Sequence, residues 1–184
     1  HNALTVRLEC RDRMLVAYCN SGQVFIYNHV SDKFEPLINL IQYINKRNLI
    51  IYKIAIDAKL NLWVATSNGY YKYSDGQIAT IDGEGAFYNL EWLTGDSLIV
   101  AGRTKLQIID TGDPDAHPND IGASLPASIK TSLFFDTANN RLWIGTKTDG
   151  LMFFDFENHS VNKVKGIPTL PVLALEPFND STLL

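Results

Sequence analysis

The sequence predicts an all-β fold, and the main reason is a short unit that is repeated along the chain. Each copy holds an apolar run, a loop of a few residues that often contains Gly, and a second apolar run ending in an aromatic or aliphatic residue. The clearest copies lie at 141–155 and 62–73, and weaker ones lie at 15–27 and 98–109. Self-similarity at a regular spacing is the signature of repeat architectures, so it determines the fold class.

The spacing and composition of the copies identify the kind of repeat. Successive anchor leucines are 47, 36, 44 and 41 residues apart. The anchors are Leu15, Leu62, Leu98, Leu142 and Leu183. A period of about 40–50 residues is typical of a propeller blade with four strands. Helical repeats do not fit, because the runs are short and rich in Val, Ile, Phe, Tyr and Trp, which favour strands.

Four strands are expected in each copy. An apolar stretch precedes the anchor leucine and ends in a turn rich in Asp and Asn, at 57–61 and 136–140. Asp and Asn tolerate turn conformations and hydrogen-bond their own backbone, so we expect these turns to close hairpins. A fourth strand is expected near 34–39, 77–81 and 160–165, whereas the third copy shows no clear fourth strand.

The repeat divides residues 1–184 into successive blades of a partial β-propeller. The expected blade bounds are roughly 4–39, 50–81, 87–121 and 130–165, with a partial fifth blade at 171–184. The fifth blade would supply only its first strand, at 172–175, and the start of its second. Known propellers close with four to eight blades. Because a chain that ends within a blade leaves a sheet edge exposed, we expect an open fragment of a longer protein, with a closed four-bladed ring as the alternative. Its expected partners are the remaining blades of the parent, and its exposed blade edges favour self-association.

Composition and charge argue against several classes of partner. The net charge is −4 and the isoelectric point is about 5.5, so we expect no nucleic-acid partner and no anionic-membrane surface. No apolar stretch approaches the roughly 18 or more residues of a membrane span. Cys10 and Cys19 lie near opposite ends of a predicted hairpin, too far apart for a disulfide, so we expect two free thiols.

No constellation of residues indicates catalysis, a metal or a cofactor. The glycine-rich stretch 82–85 lacks the Lys-Ser/Thr pair of a phosphate-binding loop. Residues 113–118 begin like a calcium loop but place His and Pro where Asp or Asn and Gly are needed. The histidines have no ligand spacing; they are His1, His29, His117 and His159. We therefore expect no catalytic residue, no metal site and no cofactor.

Polar loops at one end of the blades are the candidate ligand site. In a propeller, the loops from second to third strands share a rim with the connections between blades, and polar groups on a concave rim can orient a small ligand. The candidate ligand-binding residues are Asn20, Asn68, Arg103, Lys147 and Asp149, together with Trp92, whose ring could face the central channel.

Other apolar side chains are expected to pack. Trp63 and Trp143 occupy the same position of the repeat, and we expect both to be core residues wedged between blades. The long connection 40–52 carries Ile41, Tyr43 and Ile44, which could pack on a neighbour or a partner.

Two copies carry a more specific likeness. Leu-Trp-Ile-Gly-Thr at 142–146 with Asp-Gly-Leu at 149–151, and Leu-Trp-Val-Ala-Thr at 62–66 with Asn-Gly at 68–69, resemble the repeat of two-component regulator propellers. All four copies can be aligned with that repeat. The other two depart from it, since Val16 and Ile99 replace the Trp and Lys105 replaces the Gly.

The resemblance implies a role in signalling. Repeats of this kind form the periplasmic sensor region of hybrid two-component histidine kinases in Bacteroidetes. By that resemblance the chain is about half of one propeller, on the periplasmic or extracytoplasmic face of a bacterial inner-membrane receptor. The implied ligand is a small molecule or an oligosaccharide, such as a glycan breakdown product. The fragment itself is then no enzyme, although its parent may carry a histidine kinase module.

Two other functions stay open at the level of sequence. One is a protein-interaction scaffold, although the Gly-His and Trp-Asp signatures of WD repeats and the double glycines of kelch repeats are absent. The other is an enzyme built on a propeller, such as a polysaccharide lyase or a glycosidase. Such an enzyme requires clustered carboxylates or histidines near the axis, and the separation of carboxylates is a property of the fold.

Overall fold

The computed structural model describes residues 5–44, 48–113, 115, 117–121, 125–179 and 182–183. Across that part of the chain, the elements are eighteen β-strands and one short helix. Sixteen strands form four antiparallel four-stranded sheets, and in every sheet the strands are neighbours in chain order. The all-β class and the four-stranded unit expected from the repeat are therefore confirmed.

The first compact unit, residues 1–86, contains the first two sheets, which we call blades 1 and 2. Blade 1 consists of β1 (Val6–Arg11), β2 (Met14–Cys19), β3 (Gln23–Asn28) and β4 (Lys33–Asn39). Helix α1 (Leu40–Ile44) follows in the connection. Blade 2 consists of β5 (Ile51–Ile56), β6 (Leu62–Thr66), β7 (Gly69–Ser74) and β8 (Gln77–Asp82).

The second compact unit, residues 87–184, contains blades 3 and 4. Blade 3 consists of β9 (Phe87–Thr94), β10 (Ser97–Gly102), β11 (Leu106–Asp110) and β12 (Asn119–Asp120). Blade 4 consists of β13 (Lys130–Asp136), β14 (Arg141–Thr146), β15 (Leu151–Asp155) and β16 (Ser160–Lys163). The fourth strands expected near 34–39, 77–81 and 160–165 are present, and that of blade 3 is only two residues long.

Blades 1 and 2 pack through an aliphatic core in the first unit. Val16 and Val24 from blade 1 belong to the same buried cluster as Ile54 and Val64 from blade 2. The first strands of the two blades, β1 and β5, also contact each other. The Nζ of Lys53 on β5 donates to a carboxylate oxygen of Glu9 on β1 at 2.8 Å. Burial of these branched side chains is the main stabilising contribution, at about 25 cal/mol per Å² of apolar surface.

Blades 3 and 4 pack through a second, separate core. Its buried members include Ile99 and Leu106 from blade 3 and Leu133, Leu142 and Phe154 from blade 4. The first strands β9 and β13 also contact each other. Each unit is therefore a pair of thin sheets that bury one face against each other.

The start of the fifth blade differs from the expectation. Residues 172–175 form no strand, and the next strands are β17 (Pro177–Asn179) and β18 (Thr182–Leu183), which pair as a short hairpin. The backbone N–H of Val172 nevertheless donates to the carbonyl of Thr146 at 3.0 Å. Leu173 is 80% exposed. The segment therefore starts beside blade 4, but no strand among the described residues pairs with it.

The cysteines behave as expected. In the β1–β2 ladder, Cys10 pairs with Leu15 near the turn, whereas Cys19 pairs with Val6 at the far end. Both thiols are free; Cys10 is exposed and Cys19 is buried.

Candidate ligand-binding rim

The loops between second and third strands are tied to the connections between blades in both units. In the first unit, the N–H of Ile51 donates to the carbonyl of Asn20 at 3.1 Å, and the N–H of Ser67 donates to the carbonyl of Ile50 at 2.9 Å. In the second unit, the N–H of Lys147 donates to the carbonyl of Ile129 at 3.0 Å. Within each unit these segments therefore share one end of the sheets, as the propeller arrangement requires.

Asn20 and Asn68 lie on the rim of the first unit, and both are half-buried. The N–H of Asn68 donates to the Oγ1 of Thr66 at 3.1 Å, and its carbonyl accepts from the hydroxyl of Tyr71 at 2.6 Å. The Oγ1 of Thr66 in turn donates to the carbonyl of Gly69 at 2.7 Å. These bonds fix the backbone of the loop, so the Asn68 side chain projects from an anchored turn.

Arg103, Lys147 and Asp149 lie on the rim of the second unit. Arg103 and Lys147 are exposed, and Asp149 is half-buried. The N–H of Asp149 donates to the Oγ1 of Thr146 at 2.9 Å, which repeats the bond made by Asn68 in blade 2. The same loop is held to the preceding connection by Ser128, whose Oγ lies 2.8 Å from the Oγ1 of Thr148.

Lys130 is a rim residue that the sequence analysis missed. It is 1% exposed, and its ammonium donates to the carbonyls of Ser128 at 2.8 Å, Pro126 at 2.6 Å and Arg103. Burial lowers the pKa of Lys130 to about 8; Asp149 acts to raise that pKa and Arg103 to lower it. The ammonium therefore joins two rim loops of the second unit. The sequence feature that could have identified this residue is a Lys at the start of an apolar run.

Trp92 lies away from the rim that carries Arg103. It is half-buried on β9 and pairs with Leu98, close to the turn that joins β9 to β10. That turn is at the opposite end of blade 3 from the loop that contains Arg103. The structure therefore brings Arg103 and Asp149 together around Lys130 but does not add Trp92 to them.

A second hydrogen-bonded motif that the sequence analysis missed lies where the first strand turns into the second. In blade 2, Asp57 accepts from the N–H of Lys59 at 2.9 Å, from the N–H of Asn61 at 2.8 Å and from the Nε1 of Trp63 at 3.0 Å. Because Asp57 is 1% exposed, these donors compensate a buried carboxylate. An Asp six residues before the Trp was the sequence signal.

Blade 4 repeats this motif in a more open form. Asp136 accepts from the N–H groups of Ala138 and Asn139, both at 3.1 Å, and from the Nε1 of Trp143 at 3.4 Å. Burial acts to raise the pKa of Asp136, but the bonds from Asn139, Trp143 and Ala138 outweigh it and hold the pKa below its usual value. The motif is structural, because its acceptors are occupied by the protein's own donors.

The described residues show neither a metal centre nor a membrane-spanning helix. No group of three or more His, Cys, Asp or Glu residues is arranged to hold a metal ion. No helix in that part of the chain is long and apolar enough to cross a membrane.

Comparison with known proteins shows the fold. No protein-family model matches the sequence, and no curated protein matches it. Among solved structures, two crystal structures of the extracellular domain of BT4673 from B. thetaiotaomicron are similar to this chain. One describes BT4673 as a putative one component system, and the other describes it as a putative hybrid two component system. The TM-scores are 0.72 and 0.70, at 16% identity, over 93% of this chain and 24% of that chain.

A WD40 propeller has the same fold. The β-propeller domain of Doa1 gives a TM-score of 0.70 at 9% identity, over 96% of this chain and 58% of that chain. At such identities the likeness concerns the fold. The chain is an all-β fragment of four propeller blades, and it spans about a quarter of the BT4673 extracellular domain.

Proposed function

We propose that the chain is a fragment of the ligand-sensing propeller of a hybrid two-component sensor histidine kinase. The observation that carries this proposal is the likeness of fold to the extracellular domain of BT4673 over nearly the whole chain. The repeat motif supports it independently, because the residues that resemble sensor propellers fall on the second strands of blades 2 and 4.

Sensing requires binding and no chemistry, and the rim of each unit has groups suited to binding. The anchored rim loops offer amide, guanidinium, ammonium and carboxylate groups. These groups belong to Asn20 and Asn68 in the first unit and to Arg103, Lys147 and Asp149 in the second. Anchored backbone lowers the entropy cost of ordering a site, which favours affinity. We propose Asn20 and Asn68 as ligand contacts on the rim of the first unit, and Arg103, Lys147 and Asp149 as ligand contacts on the rim of the second. We propose Trp92 as a separate wall of the parent propeller's central channel. Ligand binding produces a signal only if one arrangement of the receptor binds the ligand more tightly than the other arrangement does.

The ligand class and location follow from the resemblance of the repeats. The proposed ligand is an oligosaccharide or another glycan-derived small molecule, and the proposed location is the periplasmic face of an inner-membrane receptor. The fragment has no catalytic role in this proposal, and the kinase module belongs to the parent protein. Exposed blade edges are proposed contacts between copies, and solution scattering that shows a lone monomer at high concentration contradicts that part.

The parent protein provides the test of the sensor function. Reconstituted in membrane vesicles, it should change its rate of autophosphorylation when one member of an oligosaccharide panel is added to the sensor side. The oligosaccharide should be recovered unchanged. A parent reading frame without a membrane span and a kinase module contradicts the proposal, and conversion of the oligosaccharide to products replaces sensing with catalysis.

A protein-interaction scaffold is the second candidate, because the WD40 propeller of Doa1 is about as similar in fold. Such a scaffold should bind a protein partner through a rim with no response to any small ligand. Charge reversal at Arg103 and Asp149 should then weaken a protein complex and leave autophosphorylation of the parent unchanged.

A further inference from the structure

The first unit has a groove between the blade connection and the outer part of blade 2. It has a volume of about 240 Å³ and is lined by Tyr43, Ile44, Tyr71, Ile78, Thr80 and Gly83. The first two residues belong to α1, the next three to β7 and β8, and Gly83 follows β8.

The strand register explains why these side chains meet. Tyr71 on β7 pairs with Thr80 on β8, and Ile78, two residues before Thr80, shares its face because side chains alternate along a strand. Ile44 and Ile78 also pack against the core between blades 1 and 2. The groove therefore has a rigid floor in blade 2 and one wall made by α1.

The lining is amphipathic and uncharged. None of the six described lining residues is charged, and Ile44 and Ile78 supply apolar surface. Tyr43 as a whole residue is 62% exposed, so it is available to a ligand. The Tyr71 hydroxyl is already bonded to the carbonyl of Asn68 at 2.6 Å, and burial raises its pKa, so it stays neutral at physiological pH.

The absence of a side chain at Gly83 keeps one end of the groove open. A Cβ at Gly83 would have only the Cγ2 of Thr80 nearby, at 3.3 Å, and the backbone there is not in the left-handed region. A methyl group at this position would therefore narrow the groove, and the Thr80 methyl would have to move by a few tenths of an ångström to admit it.

We propose that this groove binds one neutral sugar ring, with its C–H face against Tyr43 and Ile44 and its hydroxyls toward Thr80 and Gly83. A pyranose has an apolar face and a polar edge, which matches a site that combines aromatic and aliphatic surface with a few polar groups. Because no described lining residue is charged, the groove disfavours a uronate or a sulfated sugar, whose charge would be desolvated there without a partner. This inference rests on the proposed sensor function and names one subsite on the rim that carries Asn68.

Saturation-transfer NMR on the 184-residue chain is the direct test. The probes are methyl glucopyranoside, galactopyranoside and mannopyranoside, with glucuronate as the charged comparison. At least one neutral pyranoside should receive saturation and compete with the other neutral probes. Tyr43→Ala should weaken its binding by about tenfold, since an aromatic contact contributes that much. Gly83→Ala should also weaken it by about tenfold, because a methyl in a close-fitting pocket has that effect.

The matched control is Phe34→Ala, which removes another partly exposed ring of the same unit, on β4 and outside the groove. It should leave the affinity unchanged. No saturation of any neutral probe, tighter binding of glucuronate, or equal effects of Tyr43→Ala and Phe34→Ala overturns the proposal. Gly83→Ala keeps the test decisive if Tyr43→Ala does not fold.

The outcomes separate this inference from the proposed function. If the parent receptor responds to an oligosaccharide while the groove binds no pyranoside, the sensor function stands and the groove is not its site. If the parent has no membrane span or kinase module while the groove binds a pyranoside through Tyr43, the sensor function fails and the sugar subsite stands.

Discussion

Blades 2 and 4 carry the same repeat motif but differ in how deeply they bury it. Trp63 is 2% exposed, and every residue of β6 is buried. Trp143, in the same position of blade 4, is half-buried, contrary to the expectation that both are core residues. Its ring lies 5.4 Å from the Phe153 ring, whereas the Trp63 ring has the Lys72 ammonium 5.2 Å away.

The first strands of the two blades show a second difference. Ile51 pairs with Thr66 in blade 2, and Lys130 pairs with Thr146 in blade 4. Ile51 packs in an aliphatic core, whereas Lys130 places a buried ammonium among three carbonyls. In both blades the repeat determines the local hydrogen bonds, whereas the residues around each blade determine its burial and its chemistry.

The largest loss of stability is expected when the two tryptophan side chains are removed. Trp63→Ala should lower the free energy of unfolding by about 3–5 kcal/mol, because it deletes a large, fully buried side chain. Trp143→Ala should cost about half as much, since solvent already reaches part of its ring. Urea denaturation of both variants measures the difference, and equal losses would mean that the two blades bury their tryptophans alike in solution.

The next effect concerns the first strands. Lys130→Ile gives blade 4 the residue type of blade 2 but leaves the carbonyls of Arg103, Pro126 and Ser128 without their donor. It should cost about 2–4 kcal/mol of unfolding free energy at pH 7. Lys147→Ile is the control, because this exposed Lys should change stability by less than about 0.5 kcal/mol. A stabilised Lys130→Ile variant would show that the carbonyls find other partners.

The Lys130 ammonium should also make stability depend on alkaline pH. Its pKa is about 8 in the folded chain against an ordinary value of 10.5. Between these values the unfolded chain holds a proton that the folded chain has lost, so stability rises with pH across that window. Unfolding measured from pH 7 to pH 10.5 should show this rise in the wild type. Its persistence in Lys130→Ile would assign it to another group.

A smaller difference is expected between the two aspartates. Asp57→Ala should cost about 2–3 kcal/mol and Asp136→Ala about 1 kcal/mol, since buried donors lose their acceptor in blade 2 and partly hydrated ones in blade 4. The lowered pKa of Asp136 also makes the free energy of unfolding depend on pH in the acid range. Its contribution is present above the unfolded pKa and is lost as pH falls through the folded pKa, below about pH 4. Acid titration of Asp136→Asn should lack that loss.

The smallest effect should be the same in both blades. Thr66 and Thr146 each donate an Oγ1 hydrogen bond to a glycine carbonyl, at 2.7 and 2.8 Å. Thr66→Val and Thr146→Val should each cost about 1 kcal/mol. Costs that differ by more than the error of urea denaturation would contradict the view that the repeat determines local bonds independently of burial.

Much of the fold could be predicted from the sequence, because a strand pattern is local. The anchor runs, the turns at Asp57 and Asp136 and three of the four fourth strands lie where the repeat places them. The prediction of a strand at 172–175 was wrong. A strand requires a partner, and none of the described strands pairs with that segment. The predicted rim residues occupy rim loops, and Trp92 lies on the first strand of blade 3, toward the other end of that blade.

Sequence alone determined the repeated four-stranded unit and the polar character of its loops, since alternation, turn residues and spacing act within a few neighbours. Three other features arise from tertiary contacts: Trp143 is half-buried, three carbonyls surround Lys130, and α1 forms a groove with β7 and β8. Each of these depends on which distant segments come together. The contacts between such segments are set by packing and hydrogen bonding across tens of residues, which no local pattern encodes.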